Sequence, residues 1–497
     1  MFIKLGISLN IPRNLERSLG PLGRLLLVIG ILLLIPVFLA VYFSEFEIYG
    51  YIVYLGYLLP ALISMGVGTL LDKKFEQKSL NLVQGLYLTG IAWIIISFFC
   101  ALPFTIITEM GFLNSYFEAV SGFTTTGITM IENVNVIPNS LLFFRAFIQW
   151  IGGLGIITFF LFIGRKGISE HILYRGESHK AKSPNPVPNL ERTIKYLWTI
   201  YIGFTVVLIS LLWLQGVTFF DATAHAFTTV STGGFSTHNA SIGFYQGLAN
   251  YRLIEYTIIV FMFLGGTNFV IHYRFLKGKI RSVWDNMEMK LWWSIVIVAT
   301  VLVMISAGLF GDSLESLFRT SLFQVVSIAT TTGFGTEYIG SEYFGALAKQ
   351  VFLILMVIGG CVGSTAGGIK VKRVGIMVKG IWNHIKKASR PREMITNLTV
   401  DGEKISDTEL MRVFTIFASW ILLLVIGGMV TALLSNHDPF ACFSGMFSAL
   451  GNIGPSYLGS MVSLNPIIKI FYIFAMLVGR LEILPIFILL NREVWVK

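Results

Sequence analysis

The sequence predicts an all-α polytopic membrane protein, with two extra N-terminal transmembrane helices followed by four copies of one helical unit. Three observations lead there. Of 497 residues, 55% are hydrophobic and only 13% charged, with a mean hydropathy of +0.74; soluble domains carry roughly 25% charged residues. Apolar stretches of about 20 residues, the length that crosses a bilayer, alternate with polar loops. Finally, a threonine- and glycine-rich strip, Ser121-Gly-Phe-Thr-Thr-Thr-Gly-Ile-Thr129, returns as Val230-Ser-Thr-Gly-Gly-Phe235, Thr330-Thr-Thr-Gly-Phe334 and Asn452-Ile-Gly-Pro455.

Taken in order, residues 1–20 are short, basic and mildly amphipathic (Lys4, Arg13, Arg17), as suits a cytoplasmic surface. Apolar spans follow at 22–43 and 51–71, and a charged turn at 72–78. Residues 1–80 thus form an N-terminal segment with two extra spans. The next span, 82–104, is expected to end at Leu102-Pro103, because proline punctuates helices. A half-apolar run long enough for a short helix leads into the first strip (113–130), and a span at 140–163 completes repeat one, residues 81–180. A polar loop (164–195) contains Arg165, Lys166, Arg175, Lys180, Lys182 and a Ser-Pro-Asn-Pro-Val-Pro stretch. Repeat two (181–285) has its apolar core at 196–272 and ends in Arg274, Lys277, Lys279 and Arg281. Repeat three (286–395) spans 292–378, and its last segment is broken by glycines at 359–368. The longest basic loop follows, carrying Lys370, Lys372, Arg373, Lys379, Lys386, Lys387, Arg390 and Arg392. Repeat four (396–497) runs over 411–490.

The formal net charge of +10 does not point to nucleic acid, because the cations sit in loops between apolar spans. Connections carrying the strips hold acids instead, among them Glu109, Glu118, Glu132, Asp221, Asp312, Glu315, Glu337, Glu342 and Asp438. The positive-inside rule then places both termini in the cytoplasm and all four strips on the outer side. Cys100, Cys361 and Cys442 form no CxxC pair, which excludes a disulfide framework or thiolate metal site. The first apolar run lacks a small-residue cleavage site and reads as a retained span.

The repeat carries the functional expectation. Strip glycines recur at Gly127, Gly233, Gly333 and Gly454, at intervals of 106, 100 and 121 residues. Four strips around one axis make a ring of main-chain carbonyls, which can replace the hydration shell of a monovalent cation. Glycine allows φ > 0 and lets the backbone turn its carbonyls inward, while a short helix aiming its C-terminus at the ring adds negative potential. The fold class is therefore four span–pore helix–filter–span repeats around a central pore. Taken singly, a Thr-Thr-Thr-Gly is a polar loop; four in register on one side are not so easily explained, since non-helical backbone at membrane depth needs protein or a water-filled path around it.

A second register match lies in the spans after the strips: Trp150-Ile-Gly-Gly153, Phe263-Leu-Gly-Gly266, Val357-Ile-Gly-Gly360 and Leu477-Val-Gly-Arg480. Their last positions follow the strip glycines by 26, 33, 27 and 26 residues, and a longer outer loop absorbs the excess in the second. The glycines themselves read as close-packing positions. Arg480 puts a charge in an apolar segment, at roughly 2.5–3.5 kcal/mol on the mild insertion scale. Glu482 is two residues away and off its helix face, so Arg480 is expected to face the conduction path. Segment 359–368, with Ser364 and Thr365 among its glycines, is a poor helix interior. It reads equally as a kinked, closely packed helix or as a plug that moves in gating.

Two other function classes compete. A secondary transporter of a larger solute also uses repeats and broken helices, but four pore-like units suit a central axis better. A membrane enzyme finds no support, because no HExxH or paired-acid constellation occurs. His171, His179, His384 and His437 read as loop residues, and His225 and His238, flanking the second strip, as polar contacts. No catalytic residues are expected.

With the strips, Gln149-Trp-Ile-Gly-Gly-Leu-Gly-Ile156, Gly265-Gly-Thr-Asn-Phe269, Gly363-Ser-Thr-Ala-Gly-Gly-Ile-Lys370 and Gly479-Arg-Leu-Glu482, the chain resembles the Trk/Ktr/HKT superfamily of potassium transporters from about residue 82 onward. Its two extra N-terminal spans make it most similar to the bacterial TrkH branch. The resemblance implies a K+-translocating subunit in the bacterial inner membrane, a homodimer with one pore per protomer. It implies gating by a cytoplasmic TrkA-like RCK subunit that carries the NAD(H) or ATP site, with no cofactor on this chain. Filter residues by that resemblance are Thr125, Thr126 and Gly127; Ser231, Thr232 and Gly233; Thr331, Thr332 and Gly333; and Asn452, Ile453 and Gly454. Glycine at all four positions favours potassium over sodium by the family rule. Gly359, Gly360, Gly363, Ser364, Thr365, Gly367 and Gly368 correspond to an intramembrane gating loop, and Arg480 to the arginine beneath the filter. The fourth strip departs from the threonine pattern, with Ser456 where a glycine is expected.

Overall fold

The computed structural model describes residues 13–75, 80–155, 158, 190–308, 313–389, 398–483, 486, 487 and 489. Regular structure among them is helical apart from a two-stranded turn, Thr399–Val400 against Glu403–Lys404. The N-terminal pair comprises α1 (Arg13–Leu32), its continuation α2 (Ile35–Tyr42), the one-turn α3 (Phe46–Tyr49) and α4 (Ile52–Lys74). Small residues let α1 and α4 approach: a Cβ on Gly23 would lie 2.7 Å from the Gly68 carbonyl oxygen. Arg24 and Asp72 close one end at 3.1 Å. Glu45 then joins this pair to the rest, accepting from the Ser140 N–H (2.8 Å) and Oγ (2.5 Å).

After that the element order recurs as long helix, short helix, strip, second helix. The first set is α5 (Leu82–Thr108), α6 (Phe112–Phe123) and α7 (Asn139–Leu154); the second is α8 (Leu190–Leu214), α9 (Phe219–Val230), α10 (Tyr251–Gly266) and α11 (Phe269–Leu276). The third is α12 (Met287–Ala307), α13 (Leu314–Ala329), α14 (Ala346–Val357) and α15 (Val371–Ala388); the fourth is α16 (Asp407–Leu434), α17 (Pro439–Gly451) and α18 (Pro466–Arg480). Six helices among the described residues are long and apolar enough to cross a membrane, and α10 with α11 makes a seventh candidate bent by 103°.

Three sequence expectations are corrected here. Helix α5 does not stop at Pro103 but runs to Thr108. A proline inside an apolar helix deletes one N–H, and neighbouring helices compensate. Helices α7 and α10 do not run on past their glycine pairs but end at Leu154 and Gly266, with Gly155 left-handed (φ 90°) and Thr267 extended; α14 ends at Val357, ahead of the glycine break the sequence predicts, with Ile358 extended. The reason is crowding. A Cβ on Gly152 would stand 2.0 Å from the Phe123 carbonyl, one on Gly265 3.1 Å from that of Val230, and one on Gly479 of α18 2.1 Å from that of Leu450, so α7, α10 and α18 each press a glycine onto the last turn of a short helix. Third, the basic stretch after Lys370 is not a loop but helix α15, with Lys370 as N-cap. Val378, Ile381, Trp382 and Ile385 form an exposed apolar stripe at helical spacing, while Lys372, Lys379, Lys386 and Lys387 are its polar residues. His384 therefore lies on this helix, whereas His437 is in a loop as expected. His171, His179, Arg390, Arg392 and the cations of 164–189 lie outside the described residues.

Buried ion pairs join the units behind the strips. Glu118 on α6 meets Arg145 on α7 at 2.8 Å and also accepts from the Met130 N–H at 2.6 Å. Arg145 stacks on the Phe235 ring at 4.1 Å and donates to the Ser236 carbonyl at 3.2 Å, so one side chain touches two strips. Arg319 on α13 meets Glu255 on α10 at 2.5 Å. Stranding one charge of such a pair costs about 3–5 kcal/mol. Glu118→Gln is thus expected to lower the thermal unfolding midpoint of the detergent-solubilised protein by several degrees. An unchanged midpoint would show that Arg145 finds compensation elsewhere.

Candidate functional site

Each short helix ends on its strip in the same way. The C-terminal residue after α6, α9, α13 and α17 is followed by, or itself adopts, a left-handed conformation: Thr125 (φ 54°), Thr232 (53°), Thr331 (56°) and Asn452 (55°). The next N–H in each strip reaches back five residues into its helix: Thr126 to Ser121 O (2.9 Å), Gly233 to Thr228 O (2.8 Å), Thr332 to Ser327 O (2.9 Å) and Ile453 to Ser448 O (3.0 Å). A glycine with positive φ follows: Gly127 (82°), Gly234 (75°), Gly333 (84°) and Gly454 (108°). The register of the second strip is therefore shifted by one from the sequence reading. Gly233 takes the place of Thr126, Thr332 and Ile453, and Gly234 is the true counterpart of Gly127. Ser231 belongs to the end of its helix. The Gly-Gly pair made both alignments equally available on paper; the hydrogen bonds choose.

The four strips face one another in a closed cycle. A Cβ on Gly127 would stand 2.4 Å from the Gly233 carbonyl oxygen, and one on Gly234 1.9 Å from that of Thr332. On Gly333 it would stand 1.9 Å from the Ile453 oxygen, and on Gly454 2.9 Å from the Thr126 oxygen. Strip one abuts two, two abuts three, three abuts four, and four returns to one. Side chains also cross this cycle: Asn452 Nδ2 donates to Thr126 Oγ1 (2.9 Å) and to the Met476 carbonyl (2.9 Å). The strip residues Thr125, Thr126, Ser231, Thr232, Thr331, Thr332, Asn452 and Ile453 are all fully buried.

Segment 358–370 folds as a pinched loop, not a kinked helix. Ile358 and Ile369 bridge its neck, with Gly359 N donating to Ile369 O (3.0 Å) and Ile369 N to Val357 O (3.1 Å). At the neck a Cβ on Gly359 would lie 1.9 Å from Gly367 O. The loop is bonded to two strips. Thr232 Oγ1 donates to Thr365 Oγ1 (3.1 Å), and Gly367 N donates to Thr331 Oγ1 (2.7 Å). Gly360 and Cys361 lie against Gly266, with Cys361 N donating to Gly266 O at 2.9 Å. Gly363 (φ 74°) and Gly368 (64°) take left-handed turns, and Ser364 Oγ bonds back to the Cys361 carbonyl. Arg480 does not pair with Glu482. Its guanidinium donates to the carbonyls of Thr365 (2.5 Å), Gly152 (2.6 Å) and Gly153 (2.6 Å), joining the loop to repeat one, while Glu482 pairs with Arg373. A cavity of about 90 Å³ adjoins, lined in part by Gly153, Ser364, Ala366, Lys370, Arg480 and Glu482.

A family model described as "TrkH: Cation transport protein" matches residues 59–494, taking in all four strips, the loop and Arg480. The chain belongs to the TrkH family. An uncharacterized cation transporter of Methanocaldococcus jannaschii is 32% identical over 98% of this chain and 97% of its own length. The Trk system potassium uptake protein TrkH of Salmonella typhimurium is 30% identical, covering 87% and 90%, and that of Halomonas elongata 30%, covering 97% and 100%. The crystal structure of the potassium transporter TrkH from Vibrio parahaemolyticus superposes with a TM-score of 0.84 at 27% identity, over 96% of this chain and 99% of that one. As a TrkH-family member the chain is a multi-pass membrane transport protein rather than an enzyme, and among the described residues no cluster of three metal-ligating side chains occurs.

Sequence reasoning missed several residues that bond to the strips. From the sequence Glu118 and Arg145 read only as loop and span residues. Gln149, a lone amide in an apolar helix, was a visible signal. Beside the second strip, Asp221 at the start of α9 accepts from Thr237 Oγ1 (2.6 Å) and Thr218 Oγ1 (2.8 Å), with His238 Nε2 at 3.4 Å. Burial alone would raise its pKa, but hydrogen bonds from His238, Thr237 and Thr218 outweigh it and bring the value down to about 2. A depressed folded-state pKa stabilises above the unfolded value, and the gain is lost as pH falls through the folded one. Asp221 should therefore contribute fully at neutral pH and lose its contribution only between about pH 4 and pH 2. Thermal unfolding across that window should drop less steeply in Asp221→Asn; parallel curves would contradict this. His225, also buried, makes contacts with the Asp221 carbonyl and Ser236 Oγ, in keeping with a polar rather than catalytic role.

Proposed function

We propose that this chain is the potassium-translocating subunit of a Trk-type uptake system, with the four strips as its selectivity filter. The closed cycle of strips is the observation that carries the reading. Carbonyls gathered from Thr125, Thr126 and Gly127; Thr232, Gly233 and Gly234; Thr331, Thr332 and Gly333; and Asn452, Ile453 and Gly454 offer a partly dehydrated K+ oxygen in place of water. The C-terminal ends of α6, α9, α13 and α17 lend negative potential there. No ionised side chain is needed in such a ring, which keeps the ion from binding too tightly to leave. Relatives named Trk system potassium uptake proteins support the cargo assignment.

On this reading, residues 81–180, 181–285, 286–395 and 396–497 are the four pore repeats and 1–80 the accessory pair, with both termini cytoplasmic and the strips outward. The loop 359–368 is the gate, held closed by Arg480 and by its bonds to Thr232 and Thr331. A cytoplasmic TrkA-like subunit carrying the nucleotide site would release it, and two copies of this chain would assemble, each with its own pore. Reconstituted into proteoliposomes with that subunit, the full chain should admit K+ and Rb+ in preference to Na+ down an imposed gradient. Flux that does not discriminate among alkali cations, or none above empty liposomes, defeats the proposal. A rival solute transporter would show neither preference nor salt-selective current.

A further inference from the structure

Resting on the filter reading above, we infer that Gln149 is a positioning residue for ion discrimination: it holds the carbonyl of Gly233 in the ring from a neighbouring repeat. Gln149 lies on α7 and is completely buried. Its Nε2 donates to the Gly233 carbonyl at 2.7 Å, and its Oε1 accepts from the Phe235 N–H at 3.0 Å. One amide thus brackets Gly234 on both sides. The Gly233 oxygen it holds is the same oxygen that faces Gly127 across the ring. A carbonyl oxygen has two lone pairs, so a bond to Gln149 leaves the second for an ion.

The comparison between repeats shows why an amide stands here. Three residues before the first glycine of each pair, the other repeats carry Met262, Met356 and Met476, all completely buried. Only repeat one has glutamine. The matching anomaly is on the strip it serves. Strips one and three have threonine at the aligned position, and each hydroxyl ties the strip to its own helix end: Thr126 Oγ1 to Thr124 Oγ1 at 2.6 Å, Thr332 Oγ1 to Thr330 Oγ1 at 2.8 Å. Strip four has Ile453 there, which fills the place without a hydroxyl, and strip two has Gly233, with neither side chain nor tie. A Cβ on Gly233 would lie 2.5 Å from the Gln149 carboxamide carbon. The glutamine head fills the room of the missing side chain and supplies the missing bonds. Packing follows the same pattern at the next interface, where Gly266 of repeat two abuts Thr330 of strip three as Gly153 of repeat one abuts Ser231 of strip two. Gln149 with Gly233 therefore corresponds to Met262 with Thr332.

The test exploits that exchange, with the full chain and its cytoplasmic subunit in proteoliposomes and the ratio of K+ to Na+ uptake as the readout. Gln149→Met should lower the ratio about tenfold, as expected for two lost hydrogen bonds at one coordinating group. Gly233→Thr should lower it as well, by forcing the glutamine aside. The pair Q149M/G233T should recover to within about threefold of wild type. Should Q149M fail to accumulate, Q149N, which keeps the amide but withdraws it by one methylene, should lower the ratio in the same direction. A merely structural glutamine would lower the yield or the unfolding temperature and leave the ratio unchanged; that outcome overturns the inference, as does a double variant no better than the worse single one. If wild type itself shows no preference for K+, the filter reading fails. If wild type is selective and Q149M, or Q149N in its place, equally so, only the role of Gln149 fails.

Discussion

Gly234→Ala should abolish potassium uptake, whereas Gly233→Ala should leave most of it. Gly234 sits at φ 75°, where a side chain costs roughly 1–2 kcal/mol in backbone strain, and its Cβ would land 1.9 Å from the Thr332 carbonyl oxygen. That neighbour is main chain and cannot swing aside, so the carbonyl ring must open. Strain and displacement together are worth about 3 kcal/mol or more, which is about a hundredfold in rate at 1.4 kcal/mol per decade. Gly233 is not at positive φ, and the three atoms nearest a Cβ there all belong to the head of Gln149. Its replacement should leave K+ uptake largely intact and cost about tenfold or less in discrimination against Na+. Uptake of K+ and Na+ by the two variants, at matched protein levels, separates the alignments. If Gly233→Ala proves the more damaging, the second strip has the register read from sequence rather than that of its hydrogen bonds.

That one-residue shift marks where the sequence stops being legible. The four strips, their short helices and the long apolar helices could all be read, because hydropathy and a repeated motif are properties of the chain itself. A Gly-Gly pair has no such property. Whether Gly233 or Gly234 turns left-handed is decided by which N–H makes the short bond to the Thr228 carbonyl, Gly233 at 2.8 Å against Gly234 at 3.4 Å, and by the room left between Gln149 and Thr332. Termination of α7 and α10 was hidden for a similar reason. Their glycines are compatible with a helix and end it only because another helix's last turn presses on them. The loop 359–368 was recognisable as a poor helix, but its attachment to Thr232 and Thr331 depends on residues more than thirty positions away. Buried charges such as Glu118 and Arg145 were the least legible, since a carboxylate in a loop and a guanidinium in a span look like a topology signal and an outlier until they meet. Helix α15 is different: its lysines resemble loop charge, although its apolar residues Val378, Ile381, Trp382 and Ile385 recur at helical spacing.

Arg480→Ala should raise potassium flux by about tenfold or more and reduce its dependence on the cytoplasmic subunit. The guanidinium bonds Thr365 of the loop on one side and Gly152 and Gly153 of repeat one on the other; on the proposed reading it is therefore both a positive charge below the ring and a tie on the gate. A monovalent cation passing within 4–8 Å of it, at an effective dielectric near 20, meets a repulsion of about 2–4 kcal/mol. Removing the charge lowers that barrier, and the adjoining cavity, which Gly153 and Arg480 itself help to line, gives water a way to the carbonyls left behind, which limits the cost to the fold. Arg480→Lys separates the two effects. Lysine keeps the charge but is a point donor without the planar fork that bridges separated carbonyls. Flux like wild type in the lysine variant would assign the barrier to charge, and flux like the alanine variant would assign it to the tie on Thr365. Reduced flux in Arg480→Ala, with normal amounts of protein in the membrane, would instead make Arg480 a clamp that the open path also needs, and the gate would have to be sought elsewhere in the loop.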